Sequence, residues 1–261
     1  MILLSNLSIG YQSRRHAAPV VVASELCAEA RPGRLTCLIG RNGTGKSTLL
    51  RTVARFLPPL GGTVQVDGAP VETYTAARYA RTVSVVLTAR PDGNNITVEE
   101  LVALGRTPYT GFWGVLSATD RQAVSSAMQL VGIEHLAARA VAMLSDGERQ
   151  KALVAKALAQ HTPVVLLDEP TAFLDFASKA DLMLLLRRLA RTQGKTILLS
   201  THDLELALQT ADDLWLLSDG KLVSGTPQAL AASGEVQKYI GRDDVELDAE
   251  RMTMRIKNIC T

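Results

Sequence analysis

The sequence is short of cysteine, of aromatic residues and of uncompensated charge, and it has no long apolar run. Its three cysteines, Cys27, Cys37 and Cys260, lie far apart and outside any CxxC pair. That excludes a disulfide framework or a zinc ribbon and fits a reducing compartment. Four Phe, two Trp and five Tyr in 261 residues supply few stacking platforms for single-stranded nucleic acid. Lys+Arg 28 against Asp+Glu 26 leaves +2 with no basic block, so no nucleic-acid partner is expected. No stretch reaches the ~18 consecutive apolar residues of a membrane span, and the start Met1-Ile2-Leu3-Leu4-Ser5-Asn6 lacks the features of a cleavable signal.

What is present is a globular composition, 47% hydrophobic and 21% charged, with length for one to two domains. Short β-branched or leucine-rich runs at Leu35 to Gly40, Val164 to Leu167 and Thr196 to Ser200 predict strands buried on both faces. Helical segments are predicted from Lys46 to about Phe56 and from Ala177 to Arg191. Strands alternating with helices argue for an α/β fold with a parallel sheet. From roughly Pro91 to Gln160 strand-like runs are few. Helix starts there carry Thr97 with Glu100, Ser117 with Asp120 and Ser145 with Glu148; the Glu cases fit a capping box and Asp120 a weaker version. This predicts an inserted helical subdomain. Gly61 to Gly68 predicts a strand between turns, and Val245 to Leu247 with the alternating Met252 to Lys257 predicts a C-terminal hairpin. Arg14-Arg15-His16 is expected to tip a solvated turn.

Gly40-Arg41-Asn42-Gly43-Thr44-Gly45-Lys46-Ser47 matches G-x-x-x-x-G-K-[ST] between a predicted strand and helix. A chain of this composition would produce the pattern by chance roughly 0.006 times, so it is taken as a phosphate loop. Glycines let backbone N–H groups approach phosphate oxygens, and a following helix aims its free N–H groups and positive dipole end at the same anion. Lys46 would reach the β- and γ-phosphates, and Ser47 would offer its hydroxyl to Mg²⁺. The expected ligand is a nucleoside triphosphate.

Val164-Val165-Leu166-Leu167 ends in Asp168-Glu169-Pro170, placing two carboxylates at the C-terminal edge of a buried strand, where open α/β sheets bind ligands. Asp168 would complete the Mg²⁺ shell, and Glu169 would act on the attacking water as general base.

Further segments add to these two. Leu144-Ser145-Asp146-Gly147-Glu148-Arg149-Gln150 lies 23 residues before the acidic strand end, counted from Ser145 to Asp168; Phe173-Leu174-Asp175 follows it; and His202 stands 33 residues after Glu169. In this order they resemble the signature sequence, aspartate loop and switch histidine of the ATP-binding cassette (ABC) ATPases, from about Met1 to Gly225. Tyr11, 29 residues before Gly40, is similar to the family's adenine-stacking aromatic. The resemblance implies a P-loop NTPase core with a β-rich N-terminal part and an inserted helical subdomain. The core would comprise 1–88 and 161–224, the helical subdomain 89–160 and a C-terminal extension 225–261.

It also implies site residues. Glu169, His202 and Lys46 would be catalytic. Tyr11, Gly40, Asn42, Gly43, Thr44, Gly45, Lys46, Ser47 and Thr48 would hold ATP, with Ser145 and Gly147 reaching the γ-phosphate of a second copy in an ATP sandwich. Ser47 and Asp168 would hold Mg²⁺. Two places depart from the family pattern: Thr88 stands where a glutamine is usual, implying weaker metal contact and slower or differently coupled hydrolysis, and Asp146 replaces a glycine and is expected to face away from phosphate. One cassette without a heptad array implies a transporter engine needing separate transmembrane permease subunits. Val98 to Tyr109 and Thr201 to Leu208 are similar to importers of ferric siderophores, haem and vitamin B12. In that branch the Thr88 loop and Leu101 to Trp113 would meet a permease coupling helix, with Phe112 and Trp113 as anchors. The implied place is the cytoplasmic face of the inner membrane, with a solute-binding protein as indirect partner. A cassette for another cargo, a nucleotide-gated module that barely hydrolyses and a phosphotransferase are the competing readings.

Overall fold

The computed structural model describes residues 1–12, 18–87, 96–111, 113–242 and 244–257. Thr88, Phe112, Arg14-Arg15-His16 and Cys260 lie outside them, so the expectations on those residues are not met by any structural observation.

The first two strands alternate between buried and open positions, as antiparallel strands with one covered face do. β1 (Ile2–Tyr11) and β2 (Val20–Ala30) pair antiparallel, and β1 also pairs with β4 (Gly61–Val66), which carries the two-residue β5 (Ala69–Pro70). Ile2, Leu4, Leu7 and Ile9 point into a core shared with Leu26, Val64 and Val66.

The second sheet has six strands, in the order β10-β9-β3-β8-β7-β6. They are β3 (Leu35–Ile39), β6 (Val83–Val86), β7 (Val164–Asp168), β8 (Thr196–Thr201), β9 (Asp213–Ser218) and β10 (Lys221–Gly225). All neighbours are parallel except β10 on β9. β3, β7 and β8 are buried at every position, because both faces are covered. Successive side chains point to opposite faces. Thus Leu35, Cys37, Ile39, Val165, Leu167, Ile197 and Leu199 join one core, whereas Leu38, Val164, Leu166, Leu198 and Trp215 join the other.

On the Trp215 face lies α1 (Lys46–Val53), through Leu49, Leu50 and Val53. It stops three residues before the expected Phe56. Arg55 takes φ 63°, a left-handed conformation that ends a helix, and Pro58 with Pro59 follow. The short α2 (Ala76–Ala80) leads into β6. The other face carries α3 (Val98–Ala103), α4 (Ala118–Val131), α5 (Asp146–Ala159), α6 (Phe176–Gln193) and α7 (Leu204–Thr210). Val98, Leu101, Val124, Met128, Val154 and Leu158 share one continuous core with the sheet. α8 (Pro227–Ala232) and α9 (Glu235–Ile240) add Leu230, Val236 and Ile240 to it. The expected hairpin is β11 (Val245–Asp248) with β12 (Thr253–Ile256). It seats Val245, Leu247, Met252 and Met254 against that core.

All three expected capping boxes form. The Ser117–Asp120 box is a full one rather than a weak one. Asp120 Oδ2 accepts from the Ser117 N–H at 3.0 Å and hydroxyl at 2.6 Å, while Arg106 Nε grips Oδ1 at 2.8 Å. The short carboxylate reaches because it is held from both sides.

Candidate functional site

β3 is too apolar to leave the core, and it delivers the chain to a loop at its C-terminal edge. Gly40 turns the loop where a Cβ would lie 2.4 Å from Thr44 Oγ1. Gly45, the residue before α1, has φ 106°, and a Cβ there would lie 2.6 Å from Val22 Cγ1. Only glycine satisfies both the backbone angle and the contact. Asn42 and Gly43 are exposed at the loop tip, and the Thr44 hydroxyl closes the turn by donating to the Arg41 carbonyl at 2.9 Å. The α1 N-terminus has no side-chain cap, so its first N–H groups are directed at the loop, the geometry that suits an anion.

Lys46 is 5% exposed. Its ammonium donates to the carbonyls of Gly40 at 2.8 Å and Arg41 at 3.3 Å and pairs with Glu169 Oε1 at 3.3 Å. A buried cation requires such partners. Ser47 Oγ donates to Asp168 Oδ1 at 3.0 Å. The acidic pair sits where β7 ends. Asp168 closes the ladder opposite Ser200, and Glu169 breaks it with φ 47°. That turn sends the neighbouring carboxylates to different partners: Glu169 Oε2 lies 3.3 Å from His202 Nδ1 as well as facing Lys46 through its other oxygen. His202 follows β8, half exposed, and Asp203 after it caps α7 by accepting from the Leu206 N–H at 3.2 Å.

The structure thus brings Lys46, Ser47, Asp168, Glu169 and His202 together by direct contact. Tyr11, at the end of β1, joins α1 through its hydroxyl, 3.0 Å from Thr48 Oγ1. Ser145 and Gly147 lie elsewhere, at the start of α5. There Ser145 accepts from the Glu148 N–H at 3.3 Å, and both line a pocket of about 180 Å³ with Leu174, Ser178 and Asp181. The Ser145 backbone and hydroxyl hold the Glu148 carboxyl below its ordinary value, and Ser178 does the same for Asp175, the cap of α6. The Asp146 carboxylate is engaged by Arg149 at 2.7 Å.

Two features escaped sequence reasoning. Ser200 Oγ lies within hydrogen-bonding distance of both Asp168 and the Glu169 backbone; only the strand register, invisible in sequence, puts it there. Arg41 of the loop donates to the Ile240 carbonyl at 3.2 Å, tying the loop to α9.

The donor set suits Mg²⁺. Ser47 and Asp168 offer hard oxygen atoms on adjoining elements. Mg²⁺ takes one or two protein oxygens and fills its shell with phosphate and water, unlike a metal needing a full protein cage.

Comparison with known proteins identifies the family. The model of the ABC transporter family matches residues 24–172. The ferric enterobactin transport ATP-binding protein FepC of Escherichia coli (strain K12) is 39% identical over 236 residues, 90% of this chain and 85% of that one. The cobalamin import ATP-binding protein BtuD of Halobacterium salinarum is 36% identical over 229 residues, 85% of this chain and 57% of that one. Among solved structures, cbiO1 of Clostridium perfringens, part of the ABC transporter complex cbiONQ, superposes with a TM-score of 0.76 at 25% identity, covering 92% of this chain and 94% of that one. With a glycine loop after β3, an acidic pair at the end of β7 and a family model spanning both, the chain belongs to the ABC transporter family.

Proposed function

We propose that this chain is the ATP-binding and hydrolysing subunit of an importer for an iron-siderophore, haem or cobalamin-type substrate, working through separate permease subunits. The observation that carries the reading is the convergence of Lys46, Ser47, Asp168, Glu169 and His202 at one edge of the parallel sheet. The names of FepC and BtuD support the cargo class.

In this reading the loop from Gly40 to Thr48 wraps the phosphates with backbone N–H groups, and Lys46 exchanges loop carbonyls for β- and γ-phosphate oxygens. Tyr11 stacks on adenine. Ser47 and Asp168 would hold Mg²⁺, which would supply positive charge against the phosphates, with Thr88, outside the described residues, as a weak third partner. Glu169 accepts a proton from the attacking water, and His202, already beside Glu169, holds the γ-phosphate end of the site. Ser145 and Gly147 act on the nucleotide of a second copy, whose loop lies across the two-fold axis. Binding energy closes the two copies, and hydrolysis reopens them. The core spans 1–88 and 161–224, the helical subdomain 89–160 and the extension 225–261.

The permease is met by the Leu101 to Trp113 segment, where Leu104 and Trp113 are exposed. Beside it a groove of about 460 Å³ is lined by Ala54, Phe56, Tyr79, Val83 and Gln160, and the Gln160 carbonyl accepts from the Tyr109 hydroxyl at 3.0 Å. In this reading the chain works at the cytoplasmic face of the inner membrane, with a solute-binding protein delivering cargo on the far side. No helix of the described residues is long and apolar enough to cross a membrane.

Steady-state phosphate release tests the enzyme reading. Glu169→Gln is expected to lower kcat at least about 100-fold, the usual worth of a general base, with ATP affinity kept within about threefold. A wild type that releases no phosphate, alone or with its permease, overturns it, as does a Glu169→Gln variant at the wild-type rate.

A further inference from the structure

Ser200 is wholly buried and stands opposite Asp168 in the parallel pairing of β7 with β8. Its single hydroxyl serves both acidic residues. The Glu169 backbone N–H can only donate, and it donates to Ser200 Oγ at 2.9 Å. The serine proton is therefore free for the second contact, and it goes to Asp168 Oδ1 at 2.7 Å. The same Oδ1 also accepts from Ser47 at 3.0 Å. Two hydroxyls, one from the phosphate loop and one from β8, thus converge on one carboxylate oxygen and leave its rotation little freedom.

The second contact matters because of the backbone. Glu169 is a non-glycine residue at φ 47°, a conformation that persists only where its surroundings hold it. The strand ladder ends at Asp168, so the bond to Ser200 replaces the ladder bond the Glu169 N–H would otherwise make. It fixes the turn that aims the Glu169 side chain at Lys46 and His202. An apolar residue at 200 would leave a partly buried N–H without this partner and a carboxylate with one fewer restraint.

We propose that Ser200 is a positioning residue for ATP hydrolysis, setting the orientation of the Asp168 carboxylate and the left-handed turn of Glu169 through one hydroxyl. This rests on the hydrolytic reading given above. It touches neither nucleotide nor water in that reading and acts only through its two neighbours.

The test compares Ser200→Ala, Ser200→Thr and Ser200→Val in the full chain, beside wild type and Glu169→Gln. It measures kcat, KM, the equilibrium Kd for ATP and the melting temperature. Thr and Val are nearly isosteric, so their difference isolates the hydroxyl. Ser200→Ala and Ser200→Val are expected to lose at least about tenfold in kcat with ATP Kd within about threefold of wild type, and Ser200→Thr to keep kcat within about threefold. Equal loss in Thr and Val, or wild-type kcat in Ala, overturns the proposal. Ser200→Ala only removes an atom, so its kcat decides the matter should the larger side chains not fold. Wild-type phosphate release reports separately on the hydrolytic reading, whichever way the Ser200 variants fall.

Discussion

Asp168 and Glu169 are adjacent in sequence yet their carboxylates have different partners, and a single backbone angle separates them. Asp168 keeps the strand geometry and meets Ser47, whereas Glu169 at φ 47° leaves it and meets Lys46 and His202. In the proposed function the two neighbouring carboxylates divide the work, one at a metal and one at a water. These residues were legible in the sequence because phosphate chemistry demands particular residue types at fixed spacing, glycines before a lysine and acids at a strand end. Ser200 was not legible. A serine closing an apolar strand carries no spacing signal, and its partner lies 32 residues away, matched only by the register of two parallel strands. Tyr11 gives the residue-scale prediction. In the proposed function its ring would stack on adenine while its hydroxyl only links to Thr48, so Tyr11→Phe should bind ATP as the wild type does and Tyr11→Ala about tenfold more weakly. Calorimetric titration with ATP checks this, and an Ala variant within twofold of wild type removes Tyr11 from the adenine site.

At the scale of elements, helix starts were legible and strand partners were not. Ser and Thr three residues before an acid marked the first turns of α3, α4 and α5, because free N–H groups there require an acceptor. The C-terminal hairpin was legible from alternation alone. The register shifts that bend β1 against β2 leave no such trace. Nor does the early end of α1, which depends on the backbone of Arg55. The α4 cap carries a pH prediction. The hydroxyl and N–H of Ser117, with Arg106 behind them, hold the Asp120 carboxyl down to about 2 from an ordinary value of 3.8. A carboxyl depressed on folding stabilises the fold fully above its unfolded value and loses that contribution as pH falls toward the folded one. Asp120→Asn should therefore melt below the wild type at pH 7, and the gap should close between about pH 4 and pH 2. Thermal melts across that range check it; a gap independent of pH would show that the carboxylate charge contributes nothing.

At the scale of the whole molecule, two buried cores on either face of one sheet hold the site at the strands' C-terminal edge. Alternating strands and helices made the parallel sheet foreseeable, but the order β10-β9-β3-β8-β7-β6 was not, since nothing local in the chain states which strand neighbours which. That order is what seats β3 and β7 on either side of β8, and so places the phosphate loop, the acidic pair and His202 around one point. Ser145 and Gly147 stand apart from that point, at the α5 N-terminus. They act only where a second copy presents its nucleotide to them. Light scattering of Glu169→Gln, which should bind ATP without consuming it, tests this most directly. With ATP and Mg²⁺ its mass should rise from the 28.0 kDa of one chain to twice that value, and fall back when Ser145 is also replaced by Arg. A mass that stays at one chain under saturating ATP would contradict the account.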